Sequence, residues 1–188
     1  MSKKIIILAS GGGSNAASIL RYFQFKTNVK VHSILCNRKE AGVYARAEAF
    51  QVPCHYFDTN DENYLLNYTK EHQPNLIVLA GYLKKIPGPL VAHYPNKIVN
   101  IHPALLPKFG GKGMYGMHVH KAVKAAGEIE SGLTIHFVNE HYDEGAIIRQ
   151  ERVALFPEDT PEEIANKVLQ LEHQYYPEVI EQVLTQHG

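Results

Sequence analysis

The sequence predicts a doubly wound α/β fold: a mostly parallel sheet, an antiparallel last pair of strands and a C-terminal helix. Three observations carry that expectation. Apolar runs of strand length alternate with helical patterns through the first hundred residues, the order that builds parallel strands joined by crossover helices. Those runs are apolar at nearly every position instead of every second one, so both faces of the sheet must be covered. Beyond residue 101 the alternation stops, and two later strands joined by a short turn suit an antiparallel pair at the far end of the sheet.

In order, the expected strands are residues 4–10, 29–36, 52–57, 76–80 and 98–101, with helices over 15–22, 41–50, 60–72 and about 89–93. The first run, from Ile5 to Ala9, is too short for a membrane span or a signal core and leads straight into three glycines. Thr59 and Glu62 have the spacing of a capping box at the start of the third helix. Pro103, Pro107 and four glycines between positions 110 and 116 then precede a helix over 119–126, followed by strands over 133–138 and 146–155. Thr160, Pro161 and Glu163 supply an N-cap, a first-turn proline and a capping-box glutamate for the last helix. Its apolar stripe reads Ile164, Val168, Leu171 and Tyr175. No repeat, low-complexity tract or linker interrupts the chain, so residues 1–188 are expected to form one domain.

Composition narrows the functional classes. A chain of 188 residues buries a core without staples, and 45% hydrophobic with 20% charged residues is globular composition. Lys+Arg and Asp+Glu balance at 19 each, which argues against a broad basic face for nucleic acid, so any anion must be held locally. Cys36 and Cys54 lie 18 apart without zinc-ligand or disulfide-framework spacing, which suits a reducing cytoplasm.

Local anion binding has a candidate in Gly11-Gly12-Gly13-Ser14-Asn15, between the first strand and first helix. Glycines there let the backbone turn and aim N–H groups, backed by the positive end of the helix, at a phosphate. Three glycines exceed what a plain helix cap by Ser14 or Asn15 requires. The same letters fit a loose dinucleotide pattern, but the second strand ends in Cys36-Asn37-Arg38, which disfavours NAD and leaves NADP as an alternative.

A second candidate is Asn100-Ile101-His102-Pro103 at a strand end, where open α/β sheets place their sites. Strand alternation puts Asn100 and His102 on one face. Asp143, in the turn between the last two strands, is the expected partner of His102, favouring the protonated ring and fixing its tautomer. Imidazolium and amide together stabilise an oxyanion. The competing reading is a capped strand end and an Asp-x-Gly turn. His118 and His120, two apart, diverge at a helix start, so solvated side chains are expected there in place of a metal pair. His136 either lines a pocket or simply sits in its strand. Glu172, at the margin of the apolar stripe, needs a partner: a substrate amine or amide, or a neighbouring lysine.

Taken together, GGGSN, VLAGYLKKI, NIHPALLPKF, SGLTIHFV followed by YDEGAII, and LEHQYYP make the chain resemble the phosphoribosylglycinamide formyltransferases of purine synthesis over essentially its whole length. That resemblance implies a formyltransferase-like, Rossmann-related fold. It implies formyl transfer from the co-substrate 10-formyltetrahydrofolate to the amine of 5-phosphoribosylglycinamide, without a metal. By residue match Asn100, His102 and Asp143 are the catalytic set, Gly13, Ser14 and Asn15 hold the phosphate, and Glu172 contacts the glycinamide end. Leu83, Lys84, Lys85 and Ile86, with Asn139, Glu140, His141 and Tyr142, line the folate pocket. The chain departs from the common pattern at Lys84-Lys85, at Leu169, and in a lengthened glycine-rich loop after Pro107, which is either a lid over the folate cleft or a longer connection. Expected partners are the two small molecules only, with no nucleic acid or membrane, for a monomer or homodimer. Two relatives share the catalytic set: methionyl-tRNA formyltransferases, with a further tRNA-binding domain, and formyltetrahydrofolate hydrolases, with a regulatory one. Neither addition is expected here. A non-catalytic NADP-binding module using Arg38 is the alternative from another class.

Overall fold

The computed structural model describes residues 2–186. Its strands are β1 (Lys3–Ala9), β2 (Val29–Cys36), β3 (Cys54–Tyr56), β4 (Leu76–Leu79), β5 (Ile98–His102), β6 (Glu130–Phe137) and β7 (Ile147–Ala154). Its helices are α1 (Ser14–Phe23), α2 (Val43–Ala49), α3 (Tyr64–His72), α4 (Gly88–His93), α5 (Met117–Ala125) and α6 (Pro161–Gln186). The strands form one sheet in the order β3-β2-β1-β4-β5-β6-β7. The first five are mutually parallel, and β6 runs against both β5 and β7. Only β6 is therefore reversed, and the expected mixed sheet is present.

β1 lies at the centre and explains why its run is apolar throughout. Ile5, Ile7 and Ala9 join a core with α1, α2 and α6, while Ile6 and Leu8 join a second core with α3 and α4. Alternate side chains thus feed two cores, each shielded by helices. The chain leaves β1 toward β2 on one side and returns to β4 on the other, which opens a crevice at their carboxyl ends.

Several boundaries differ from expectation. α3 begins at Tyr64, not at residue 60, and the Thr59–Glu62 box is not what starts it, because Asp58 and Asp61 accept the N–H groups of Asn60 (2.9 Å) and Asn63 (3.1 Å) in local turns. The third strand starts at Cys54 because the N–H of Val52 closes back on Ala47 O and Pro53 has none to give. Gly13, with φ +74°, stands at the N-cap of α1 in place of Ser14 or Asn15. The Thr160–Glu163 box forms in both directions, at 2.7 and 3.2 Å.

The stripe on α6 runs Ile164, Val168, Glu172, Tyr176, with a four-residue step; Leu171 and Tyr175 are only half-buried, and Tyr175 instead lies under the Arg149 guanidinium at 4.3 Å. Tyr176 is fully buried and its hydroxyl lies 2.9 Å from Leu79 O and 3.2 Å from Val99 O, tying the helix to the ends of β4 and β5. Pro177 cannot donate to His173 O within the helix. The Ser18 hydroxyl of α1 donates to that carbonyl instead, at 2.7 Å.

Candidate active site

The end of β5 presents Asn100 and His102 on one face, as strand alternation requires. Asn100 Nδ2 donates to His136 Nε2 at 3.2 Å, and His136 Nδ1 lies 2.8 Å from Phe137 O. A carbonyl only accepts, so His136 carries its proton on Nδ1 and accepts through Nε2. An amide nitrogen has two hydrogens, which leaves one Asn100 N–H for the cleft. His102 Nε2 lies 2.8 Å from Phe109 O, so that nitrogen holds the His102 proton. Its Nδ1 faces Asp143 Oδ2 at 3.6 Å, beyond hydrogen-bond reach but close in electrostatic terms.

Asp143 reaches this point because the turn after β6 folds back sharply. Its own φ is +57°, and a Cβ on Gly145 would fall 1.6 Å from Phe137 O, so only glycine closes the turn. The Asp143 carboxylate accepts Gly111 N–H at 2.9 Å and lies 3.7 Å from His136 Nε2. Burial opposes its ionisation, but His136, His102 and the Gly111 N–H together hold it below the usual carboxylate range. For His102 the balance goes the other way: burial pushes the ring below the usual histidine range, more than Asp143 and the Phe109 carbonyl raise it. Burial thus works against the imidazolium that the sequence suggested, while the neighbouring carboxyl is held toward its ionised form.

Across the crevice, the start of α1 meets the middle of α6. Asn15 Nδ2 donates to Glu172 Oε2 at 2.7 Å, and both residues are buried. Burial pushes the Glu172 carboxyl up to about 7, with the Asn15 hydrogen bond opposing it. The partner that Glu172 required is thus the amide of the glycine loop. The first N–H groups of α1 have no intrahelical acceptor, and no side chain caps them.

One cleft of about 710 Å³ joins these groups. Asn15 and Glu172 line one part, Asn100, His102 and Asp143 another, and Leu83 to Ile86 with Asn139, His141 and Tyr142 a third. Leu83 and Ile86 form apolar wall, while Lys84 and Lys85 are exposed. Gly13, Ser14 and Glu140 are not among its lining residues, nor is Arg38; Ser14 and Glu140 are exposed. Among the described residues no group of three or more His, Cys, Asp or Glu side chains is arranged to hold a metal ion.

The sequence profile of the formyl transferase family matches residues 3–180. A phosphoribosylglycinamide formyltransferase of Bacillus subtilis is 36% identical over 190 residues, covering 97% of this chain and 95% of the relative. The chain belongs to the phosphoribosylglycinamide formyltransferase family. The chloroplastic phosphoribosylglycinamide formyltransferase of Arabidopsis thaliana is 43% identical over 187 residues, 95% of this chain, and the chain spans only 64% of that relative's length. Among solved structures, the phosphoribosylglycinamide formyltransferase of Anaplasma phagocytophilum superposes with a TM-score of 0.90 at 30% identity, over 99% of this chain and 89% of that one.

The structure adds His120 and Tyr82 to the cleft and decides the place of His136 and the glycine-rich loop. His120 is buried, not solvated: burial and nearby His102 push it below the usual histidine range, and its Nδ1 has no partner among the described residues. His118, by contrast, is exposed. His136 does line the cleft. Tyr82 and the loop from Gly111 to Met117 also line it. Thr134 braces the segment after His102 by donating to Ala104 O (2.7 Å) and accepting Leu106 N–H (3.0 Å). Its place two residues before His136 in an alternating strand was the available signal.

Proposed function

We propose that the protein transfers the formyl group of 10-formyltetrahydrofolate to the amine of 5-phosphoribosylglycinamide, giving N-formylglycinamide ribonucleotide and tetrahydrofolate. The observation that carries this reading is the single cleft in which Asn100, His102 and Asp143 stand between the Asn15–Glu172 pair and the Leu83–Ile86 wall. The names of the relatives support the same reaction.

In this reading the phosphate sits on the free N–H groups at Gly13, Ser14 and Asn15, where a helix start attracts anions. Exposed Ser14 reaches it from the mouth of the crevice. Glu172 receives the glycinamide end. The folate lies along Leu83, Lys84, Lys85 and Ile86, and against Asn139, Glu140, His141 and Tyr142. The amine attacks the formyl carbon, the C=O π electrons move onto oxygen, and the oxyanion accepts hydrogen bonds from Asn100 and His102. Collapse of the tetrahedral centre breaks the bond to the folate nitrogen, which takes up the proton that the amine releases.

His102 acts here as a neutral donor, with Asp143 beside it to stabilise positive charge as it develops on the ring. Its Nε2–H is held by Phe109 O, so the loop that carries Phe109 must shift for His102 to serve the oxyanion through that nitrogen. The chain is read as one domain, placed in the cytoplasm, with the free thiols Cys36 and Cys54 in support of a reducing compartment.

The test is folate release from 10-formyltetrahydrofolate with and without the ribonucleotide amine. Release that depends on the amine and yields its N-formyl derivative is expected. Release that ignores the amine assigns a hydrolase, and NADP binding without either reaction overturns the formyl-transfer reading.

A further inference from the structure

Away from the cleft, near the amino ends of β1 and β2, an irregularity of the sheet turns a histidine toward α3. The two strands pair as Ile5↔Val31 and then as Ile6↔Ser33, so His32 is an extra residue that the β1 ladder skips. A bulge of this kind re-aims a side chain. The His32 ring packs against that of His72, the last residue of α3, with centroids 4.5 Å apart. His72 in turn lies 4.3 Å from the ring of Tyr68, whose hydroxyl donates to Ser33 Oγ at 2.9 Å. Adjacent residues of the bulge thus hold both ends of a short row of rings, His32, His72 and Tyr68.

Lysines converge on the same row. Lys4 and Lys30 stand opposite each other in the register of β1 and β2, and Lys4 Nζ donates to His72 O. His55, on β3, lies 5.9 Å from the Tyr68 ring. The charged groups that act on His32 are therefore bases from every element around it: His72 from α3, Lys4 from β1, Lys30 from β2 and His55 from β3. Burial first, and then these neighbours, hold the His32 ring below the usual histidine range. Over the whole chain Lys+Arg and Asp+Glu balance at 19 each, so the excess here is local. Lys30 and His55 are exposed, and Lys4, His32 and His72 are half-buried, so the cluster reaches solvent.

We propose that Lys4, Lys30, His32 and His72 form a second anion site, separate from the cleft, which takes a small dianion of the phosphate type. None of the four lines the cleft. Among the described residues the His32 and His72 rings make no hydrogen bond, so their ring N–H groups are available as donors. A lysine ammonium has three hydrogens, and Lys4 gives one to His72 O, which leaves two for a ligand. Donors arriving from two strands and a helix suit a tetrahedral oxyanion, which offers acceptors in several directions, better than a planar carboxylate. Two imidazoles this close could also hold a transition metal, but two ammonium groups beside them repel a cation. A dianion offsets the mutual repulsion of the bases and reverses their push on His32. Binding therefore takes up a proton at that ring and weakens as pH rises through the histidine range.

Proton NMR of the histidine rings in the full chain tests this, with sulfate as the first probe because its charge is constant across the titration, and inorganic pyrophosphate as the second. The His32 and His72 resonances, assigned with His32→Asn and His72→Asn, are expected to move together and to saturate with either anion. Sulfate affinity should fall by up to about tenfold per pH unit through the histidine range. Lys30→Glu sets a carboxylate in the site and is expected to weaken sulfate binding by about tenfold or more, with kcat and both KM values at wild-type levels. Rings that stay still, shifts that do not saturate, or affinity unchanged in both Lys30→Glu and His32→Asn overturn the proposal. Anion-induced shifts confined to His102, His120 and His136 overturn it as well, since those rings report the cleft. So does a response of His32 and His72 to Zn²⁺ with none to either anion.

Discussion

At His102 two electrostatic effects oppose each other, and burial prevails over the neighbouring carboxylate. In the proposed reaction the ring serves as a positioned N–H with Asp143 as its charge partner. His102→Ala removes one oxyanion donor and is expected to lower turnover by about 10² to 10³, and Asp143→Asn, which removes the charge partner of that ring, is expected to lower turnover as well, both with thermal unfolding close to wild type. Turnover near wild type in either variant would remove the assigned roles. Glu172 titrates in the opposite sense. Its folded-state carboxyl is raised from 4.5 to about 7, so its contribution to stability is present below about pH 4.5 and is lost as pH rises through 7. Glu172→Gln should therefore flatten the melting temperature between pH 5 and 8 and gain on wild type at the alkaline end, by at most about 3 kcal/mol, while lowering activity. A variant with the wild-type slope would show that another group carries the pH dependence.

Elements enforce these positions through a few backbone choices. Gly13 adopts φ +74°, and a Cβ there would lie 2.7 to 2.9 Å from Val43, so the glycine loop is held against α2. Gly13→Ala is expected to lose about 1–2 kcal/mol from the left-handed backbone alone and more from the clash. Its KM for the phosphorylated substrate should rise more than its KM for folate, because in the proposed reading the displaced N–H groups hold the phosphate. Steady-state kinetics and chemical denaturation separate the two effects. Thr160→Ala removes half of the capping box of α6 and should cost about 1 kcal/mol without altering kcat, since Glu172 lies three turns further on. The start of the last helix is legible because its cap and its first-turn proline agree, whereas its stripe steps through Glu172 and Tyr176 in place of Leu171 and Tyr175. The third was misread because Asp58 and Asp61 offer stronger local acceptors than Thr59, a competition that spacing does not reveal.

Across the whole molecule, the cleft exists because the chain order reverses between β1 and β4, and α6 then crosses back over β4, β5 and β6. The loop from Gly111 to Met117 forms one side of it, and the His102–Asp143 pair is joined to this segment through Phe109 O and Gly111 N–H. Lys112 on this loop is exposed, and trypsin should cut there more slowly when both substrates are bound; unchanged cutting would make the loop a plain connection. The sequence by itself determined the α/β class, the reversal at the last strands, the glycine loop and the Asn100–His102 strand end, because strand alternation, capping and turn chemistry are local. It also carried the family likeness, since the specific motifs are contiguous. Only the tertiary structure decided that Asp143 meets His102, that Glu172 is bound by Asn15 from 157 residues away, and that His120 is buried instead of solvated. It also decided that burial, more than Asp143, sets the direction in which the His102 ring is shifted. Those outcomes depend on desolvation and on contacts between distant segments, and both arise only when the sheet and α6 have enclosed the cleft.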